Sequence, residues 1–147
     1  MSVSFHSEQL QFSLKNKNRH KNWIKECVSL HGKKPGDINF IFTTNAYLLR
    51  MNRDYLNHNY FTDVITFEYT EENMISGDVF ISLEEVIKNA SYYNASTDDE
   101  LRRVMIHGVL HLMGFKDGTA GEQETMRELE NDALHLWLKE EKNDSGI

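Results

Sequence analysis

The stretch Met105-Ile-His107-Gly-Val-Leu-His111-Leu-Met-Gly114-Phe-Lys-Asp117 gathers side chains that together suit a metal ion. Residues four apart on a helix lie on one face, one turn above the other. His107 and His111 can therefore aim both imidazoles at one point, which a spacing of two or five would prevent. Gly114 suits the left-handed residue that ends a helix, so the chain can double back and present Asp117 from a third direction. Two neutral nitrogens and one carboxylate leave a coordination position open, as in catalytic zinc sites; structural zinc sites are closed by four ligands, usually with thiolates. Cys27 is the sole cysteine, which leaves no thiolate set and no internal disulfide. The expected cofactor is one divalent metal ion, with Zn2+ the leading choice.

Such an ion makes a water more acidic and polarises a phosphoryl or carbonyl oxygen. In His-Glu-x-x-His peptidases the glutamate beside the first histidine is the general base. Gly108 stands at that position here, which argues against peptide hydrolysis. An iron oxygenase of the two-histidine, one-carboxylate type is also disfavoured, because both histidines share one helix and no sheet-borne His-x-Asp pair is present. For a hydrolysis, the base is open between Asp78, Asp63 and the acidified water itself. Asp63 and Asp78 equally suit a turn cap or a group that orients a histidine.

The elements that must position these residues are legible from periodicity. Val3-Ser-Phe-His alternates as a short strand, and Trp23, Ile24, Cys27, Val28 and Leu30 recur at helical spacing. Lys33-Lys-Pro-Gly36 reads as a turn. Asp37–Thr43, Val64–Tyr69 and Gly77–Ser82 read as strands, with a loop from Thr70 to Ser76. Helices are expected over Asn45–Tyr55 and Leu83–Tyr93. Another starts from a capping box at Thr97-Asp-Asp-Glu100 and stops at Gly114, and the last spans Gly121–Lys142. Strands and helices mix without strict alternation, which predicts an α+β fold: one small mixed sheet of about four strands packed with about five helices. The 147 residues, 39% hydrophobic and 27% charged, suit a single folded domain over 1–147. No apolar run reaches the length of a membrane span and Met1–Gln11 alternates, so a cytoplasmic protein is expected.

The motif His107-Gly-Val-Leu-His-Leu-Met-Gly-Phe resembles the signature of the YbeY family, bacterial rRNA maturation factors and single-strand-specific endoribonucleases. Met51-Asn-Arg-Asp-Tyr55, Thr62-Asp-Val-Ile-Thr-Phe67 and Gly77-Asp-Val-Phe-Ile81 resemble that family's Leu-Asn-x-x-Tyr, Thr-Asp-Val-Leu-Ser-Phe and Gly-Asp-Ile segments, in the same order. The resemblance implies RNA hydrolysis in rRNA maturation and ribosome quality control, with rRNA precursors and ribosomal particles as partners and neither DNA nor membrane. It places metal ligands at His107 and His111. The family's third histidine falls on Asp117, whose carboxylate lowers the charge of the centre and leaves the metal's identity more open. An arginine that the family places after the tyrosine, facing the cleft and serving RNA, is Leu56 here. Arg53, His58 and Lys116 are open between standing in for it and being surface residues with no role, and the second reading is favoured for each. Phe61 stands where the family tends to have proline.

A net charge of −7 counts against a uniformly basic nucleic-acid coat. Along the chain, however, nine Lys/Arg against four acids give residues 1–60 a charge of +5, while residues 61–118 carry −7 and residues 119–147 carry −5. Lys15, Lys17, Arg19 and Lys21, with Arg53, are candidate phosphate contacts, or else a solvated helix entrance. The acidic last helix is then expected to face away from RNA. Tyr47, Tyr92 and Tyr93 suit either base stacking or ordinary packing. A second reading makes the chain a ribosome-assembly factor whose metal is structural and whose catalysis is weak.

Overall fold

In the computed structural model, which describes residues 2–56 and 62–145, the chain runs β1 (Val3–Ser7), α1 (Lys17–Leu30), β2 (Lys34–Thr43), α2 (Asn45–Tyr55), β3 (Val64–Glu68), β4 (Met74–Ser82), α3 (Leu83–Tyr92), α4 (Thr97–Leu112) and α5 (Ala120–Ser145). The strands form one sheet ordered β1-β2-β4-β3. β1 and β4 run parallel to β2, and β3 is antiparallel to β4. This is the α+β class expected from the pattern, with four strands and five helices among the described residues. No helix among them is long and apolar enough to cross a membrane.

Alternation along β4 decides what each face of the sheet carries. Gly77 and Val79 turn toward α4, where they meet Leu112 and Gly108. Asp78 and Phe80 turn to the other face, where the Tyr47 ring of α2 stacks on Phe80 and Tyr55 meets the edge of Phe67. On the α4 side, Phe5 stacks on Phe40 and Phe42, and Trp23, Ile24 and Val28 of α1 are fully buried. α5 closes this layer: the Trp23 indole donates to the Ala133 carbonyl at 2.8 Å, and Trp137 packs edge-on against Trp23.

Three local expectations need correction. Lys34 already pairs with Met74 and Pro35 with Ile75, so the expected turn at Lys33–Gly36 is the start of β2. The register then shifts between Pro35 and Ile38, where proline has no N–H for the ladder. The loop from Thr70 to Ser76 is shorter than expected, because β4 begins at Met74, whose N–H donates to the Glu71 carbonyl. The cap of α4 is Ser96, whose hydroxyl accepts from the Asp99 N–H at 3.1 Å, and not Thr97. Ser96-x-x-Asp99 and Thr97-x-x-Glu100 both fit a capping pattern; packing chooses the former, because Glu100 is buried and cannot reach back.

Candidate metal centre

α4 is amphipathic. Leu101, Val104, Met105, Val109 and Leu112 are buried, whereas His107 and His111 lie one turn apart at the margin of that face and stay partly exposed. The helix stops after Leu112, and Gly114 adopts φ +98°. The Gly114 N–H donates to the His111 carbonyl and the Phe115 N–H to the Leu110 carbonyl, which reverses the chain. Asp117 thereby returns to the two imidazoles.

Three ligand atoms converge. His107 Nε2 and His111 Nε2 are 3.0 Å apart, and Asp117 Oδ2 lies 3.3 Å from the first and 3.4 Å from the second. Ligand atoms bound at about 2.0–2.1 Å to a tetrahedral ion lie about 3.3 Å from one another. The observed triangle therefore has the size of one face of such a tetrahedron, and these three residues could hold a metal ion.

The other nitrogen of His107 is also engaged. His107 Nδ1 sits 2.7 Å from Glu130 Oε2, and Arg103 donates to Glu130 Oε1 at 2.9 Å and to Asn131 Oδ1 at 2.8 Å. Burial works against protonation of His107, but the Glu130 hydrogen bond and the charges of Glu130, Asp63 and Asp117 outweigh it and raise the imidazole pKa. Burial works against ionisation of Glu130 in the same way, and its bonds from His107 and Arg103 prevail, holding the carboxyl below its ordinary value.

Two cavities meet at the triad and share Asp63, His107 and Asp117. One, of about 610 Å³, lies between α3, α4 and α5 and is lined by Tyr93, Glu100, Arg103, Arg127 and Glu130. The other, of about 380 Å³, opens toward α2 and β3, with Asn52, Leu56, Thr62 and Thr66 on its wall. Asp63 is desolvated between them, which pushes its pKa up. Burial does the same to Glu100.

The remaining sequence candidates separate clearly. Asp78 is not brought to the triad. It lies on the opposite face of the sheet, accepting from Asn39 Nδ2 at 2.9 Å and from the Tyr69 hydroxyl. Arg19 is committed to packing: it donates to the Trp137 carbonyl at 2.7 Å, with its guanidinium 3.7 Å from the centre of the Trp137 ring. Lys15, Lys17 and Arg53 are exposed and Lys21 is partly so, and among the described residues neither cavity has any of the five expected phosphate contacts in its wall. Leu56 does face the triad, and Lys116 is exposed on the loop before Asp117. His58 and Phe61 lie outside the described residues. Tyr93 borders the larger cavity, whereas Tyr47 packs on the sheet.

Contrary to expectation, α5 does not turn away from the site. Glu130, Arg127 and Gln123 of this acidic helix form part of the larger cavity. A signal for Glu130 was present: it falls in the stripe Met126, Glu130, Ala133, Trp137, at helical spacing among residues that the core buries. A charge in an apolar stripe needs partners, and these are Arg103 and His107.

Fold and site together define a small α+β protein carrying two imidazoles and a carboxylate on one open face, spaced for a divalent ion. Residues 3–137 match the family described as Endoribonuclease YbeY, and the chain belongs to that family. It is 46% identical over 140 residues to an endoribonuclease YbeY of Parabacteroides distasonis, covering 95% of this chain and 99% of that one. It is 42% identical over 139 residues to the Christiangramia forsetii protein of the same name, covering 95% and 96%. A solution structure of a Thermotoga maritima protein superposes with a TM-score of 0.65 over 97% of this chain and 93% of that one; at 24% identity this bears on the fold alone.

Proposed function

We propose that the chain is a metal-dependent endoribonuclease that hydrolyses phosphodiester bonds in single-stranded regions of RNA, acting in the cytoplasm on rRNA precursors and ribosomal particles during rRNA maturation and quality control. The observation that carries this reading is the triangle of His107 Nε2, His111 Nε2 and Asp117 Oδ2, with sides of 3.0 to 3.4 Å, at the meeting of two open cavities. The names of the relatives supply the substrate class.

A divalent ion held by these residues, zinc first among the candidates, supplies a Lewis acid for the scissile phosphate and an acidified water. The chain's own residues do the rest. Asp63, desolvated in the same cavity as His107, would accept the proton of the attacking water; its raised pKa, which brings it closer to the working pH of a base, supports that role. Asp78, on the far face, takes no part in the chemistry. Arg127 at the wall of the larger cavity supplies a cation for a phosphate flanking the cleavage point, which Leu56 cannot do on the other side. Tyr93 offers that strand a ring on which a base can stack.

The test is cleavage of single-stranded RNA by protein purified with and without chelator. Cleavage is expected to stop with chelator, to return with zinc, and to be absent in His111→Ala. Full cleavage by His111→Ala refutes the assignment. Restored rRNA processing in cells carrying a folded His107→Ala, His111→Ala variant favours instead an assembly factor with a structural metal.

A further inference from the structure

We propose that Glu130 is a positioning residue that sets the tautomer and orientation of His107 for metal binding, and that Arg103 holds Glu130 in place to do so. The inference rests on the reading of His107, His111 and Asp117 as metal ligands. An imidazole can present only the nitrogen that does not carry its hydrogen, so the partner of one nitrogen decides what the other can bind. Glu130 Oε2 lies 2.7 Å from His107 Nδ1 and, as a carboxylate, can only accept. The hydrogen of the neutral ring therefore belongs on Nδ1. This leaves the lone pair on Nε2, the atom that faces His111 Nε2 at 3.0 Å and Asp117 Oδ2 at 3.3 Å.

The carboxylate is itself fixed. Arg103 bonds Glu130 Oε1 with one terminal nitrogen and Asn131 Oδ1 with the other, so its planar guanidinium grips two successive side chains of α5. Arg103, His107 and His111 are spaced four apart on α4, which puts the anchor, the oriented ring and the second ligand along one stripe of that helix. Glu130 is buried, so the pair is not a loose surface contact that solvent would average away. The packing of α5 on α4 is thereby coupled to the direction in which His107 presents its lone pair.

The experiment measures zinc affinity of the full chain by competition with a chromophoric chelator, in a double-mutant cycle. The wild type should bind one ion. Glu130→Gln should bind it about 10–100-fold more weakly, the usual consequence of removing the partner of a metal-bound histidine. Arg103→Gln should lose affinity in the same direction by a smaller factor. In a His107→Ala background, Glu130→Gln should cause no further loss, because there is no ring left to orient. Equal affinity of Glu130→Gln and wild type overturns the proposal, and so does the same loss in both backgrounds, which marks a general structural role. If Glu130→Gln fails to fold by circular dichroism, the cycle is run with Arg103→Gln and read by the same criteria. A wild type that binds no ion removes the metal reading and this inference together. A wild type that binds zinc but cleaves no RNA defeats only the proposed activity and leaves the cycle decisive.

Discussion

A Cβ built on Gly108 would lie 2.5 Å from Val79 Cγ1 and 3.5 Å from Thr66 Cγ2. The absence of a side chain between the two histidines is thus a condition for seating α4 on the sheet, as well as the absence of a peptidase base. Alanine would gain about 1 kcal/mol of helix propensity over glycine. Val79 is β-branched and fully buried, so it cannot swing aside, and overpacking costs about 1–3 kcal/mol. The clash should win. Thermal unfolding of metal-free Gly108→Ala is expected several degrees below wild type, with part of the loss recovered when Val79→Ala is added. An unchanged melting temperature would show that the helix can ride up at no cost.

In the proposed centre Asp117 would be an anionic ligand, which would reduce the charge of the centre and leave its water less acidic than a neutral imidazole would. Asp117→Ala is expected to lose the ion on purification, read as metal per chain by elemental analysis. Asp117→His should keep it, and its RNA cleavage should rise at lower pH than that of the wild type. A profile shifted upward, or full metal content in Asp117→Ala, contradicts the third-ligand assignment.

Asp63 and Asp78 are equivalent candidates in the sequence but lie on opposite sides of the sheet. Asp63→Asn should retain its ion while kcat for RNA cleavage falls about 10²–10⁴-fold, the range for loss of a general base. Asp78→Asn should leave kcat near the wild-type value, since its oxygens bond Asn39 and Tyr69 away from the triad. Full kcat in Asp63→Asn would assign the proton to another acceptor.

What was legible in advance was local. The i, i+4 histidines, the glycine after them and the strand alternation all obey short-range geometry, and Asp117 follows from Gly114, which sets where the chain turns back. Contacts between elements distant in sequence were not legible. Glu130 is 23 residues from His107, and only the packing of α5 on α4 makes them neighbours. Arg19 belongs to a basic run that the sequence leaves open between a phosphate track and a solvated helix entrance, and it is α5 that places Trp137 beneath it. Summed charge misled for α5 in the same way: the helix is acidic on average, yet it turns Arg127 into the larger cavity and pairs Glu130 inward. The parity that sends Asp78 to the far face is readable in principle, but only once the face of β4 that meets α4 is known.

His20 is buried beside Trp137, with Arg19 and Arg102 both near that ring. Burial, aided by those cations, lowers its pKa below the ordinary 6.5, against hydrogen bonds to backbone that raise it. A histidine depressed in the folded state binds fewer protons there than in the unfolded chain, so stability rises with pH. Its contribution is complete above about 6.5 and is lost as pH falls below that value toward the folded-state pKa. Melting curves at pH 8 and pH 5.5 should show a larger drop for wild type than for His20→Gln. An equal drop in the two proteins would place the acid sensitivity elsewhere.

Arg127 makes no ion pair among the described residues, and the cavity it lines includes His107 and Asp117 of the triad. Arg103, the other arginine there, is committed to Glu130 and Asn131. If a phosphate of the bound strand lies against Arg127, Arg127→Gln should raise KM for single-stranded RNA several-fold while kcat holds. The dependence of log affinity on log salt should also become shallower by about 0.7, the share of one single-strand phosphate contact. Arg53→Gln should change neither quantity, since Arg53 is exposed and does not line either cavity. The reverse result, a shallower salt slope for Arg53→Gln and none for Arg127→Gln, would route the strand past α2 and Leu56 instead of between α3 and α5.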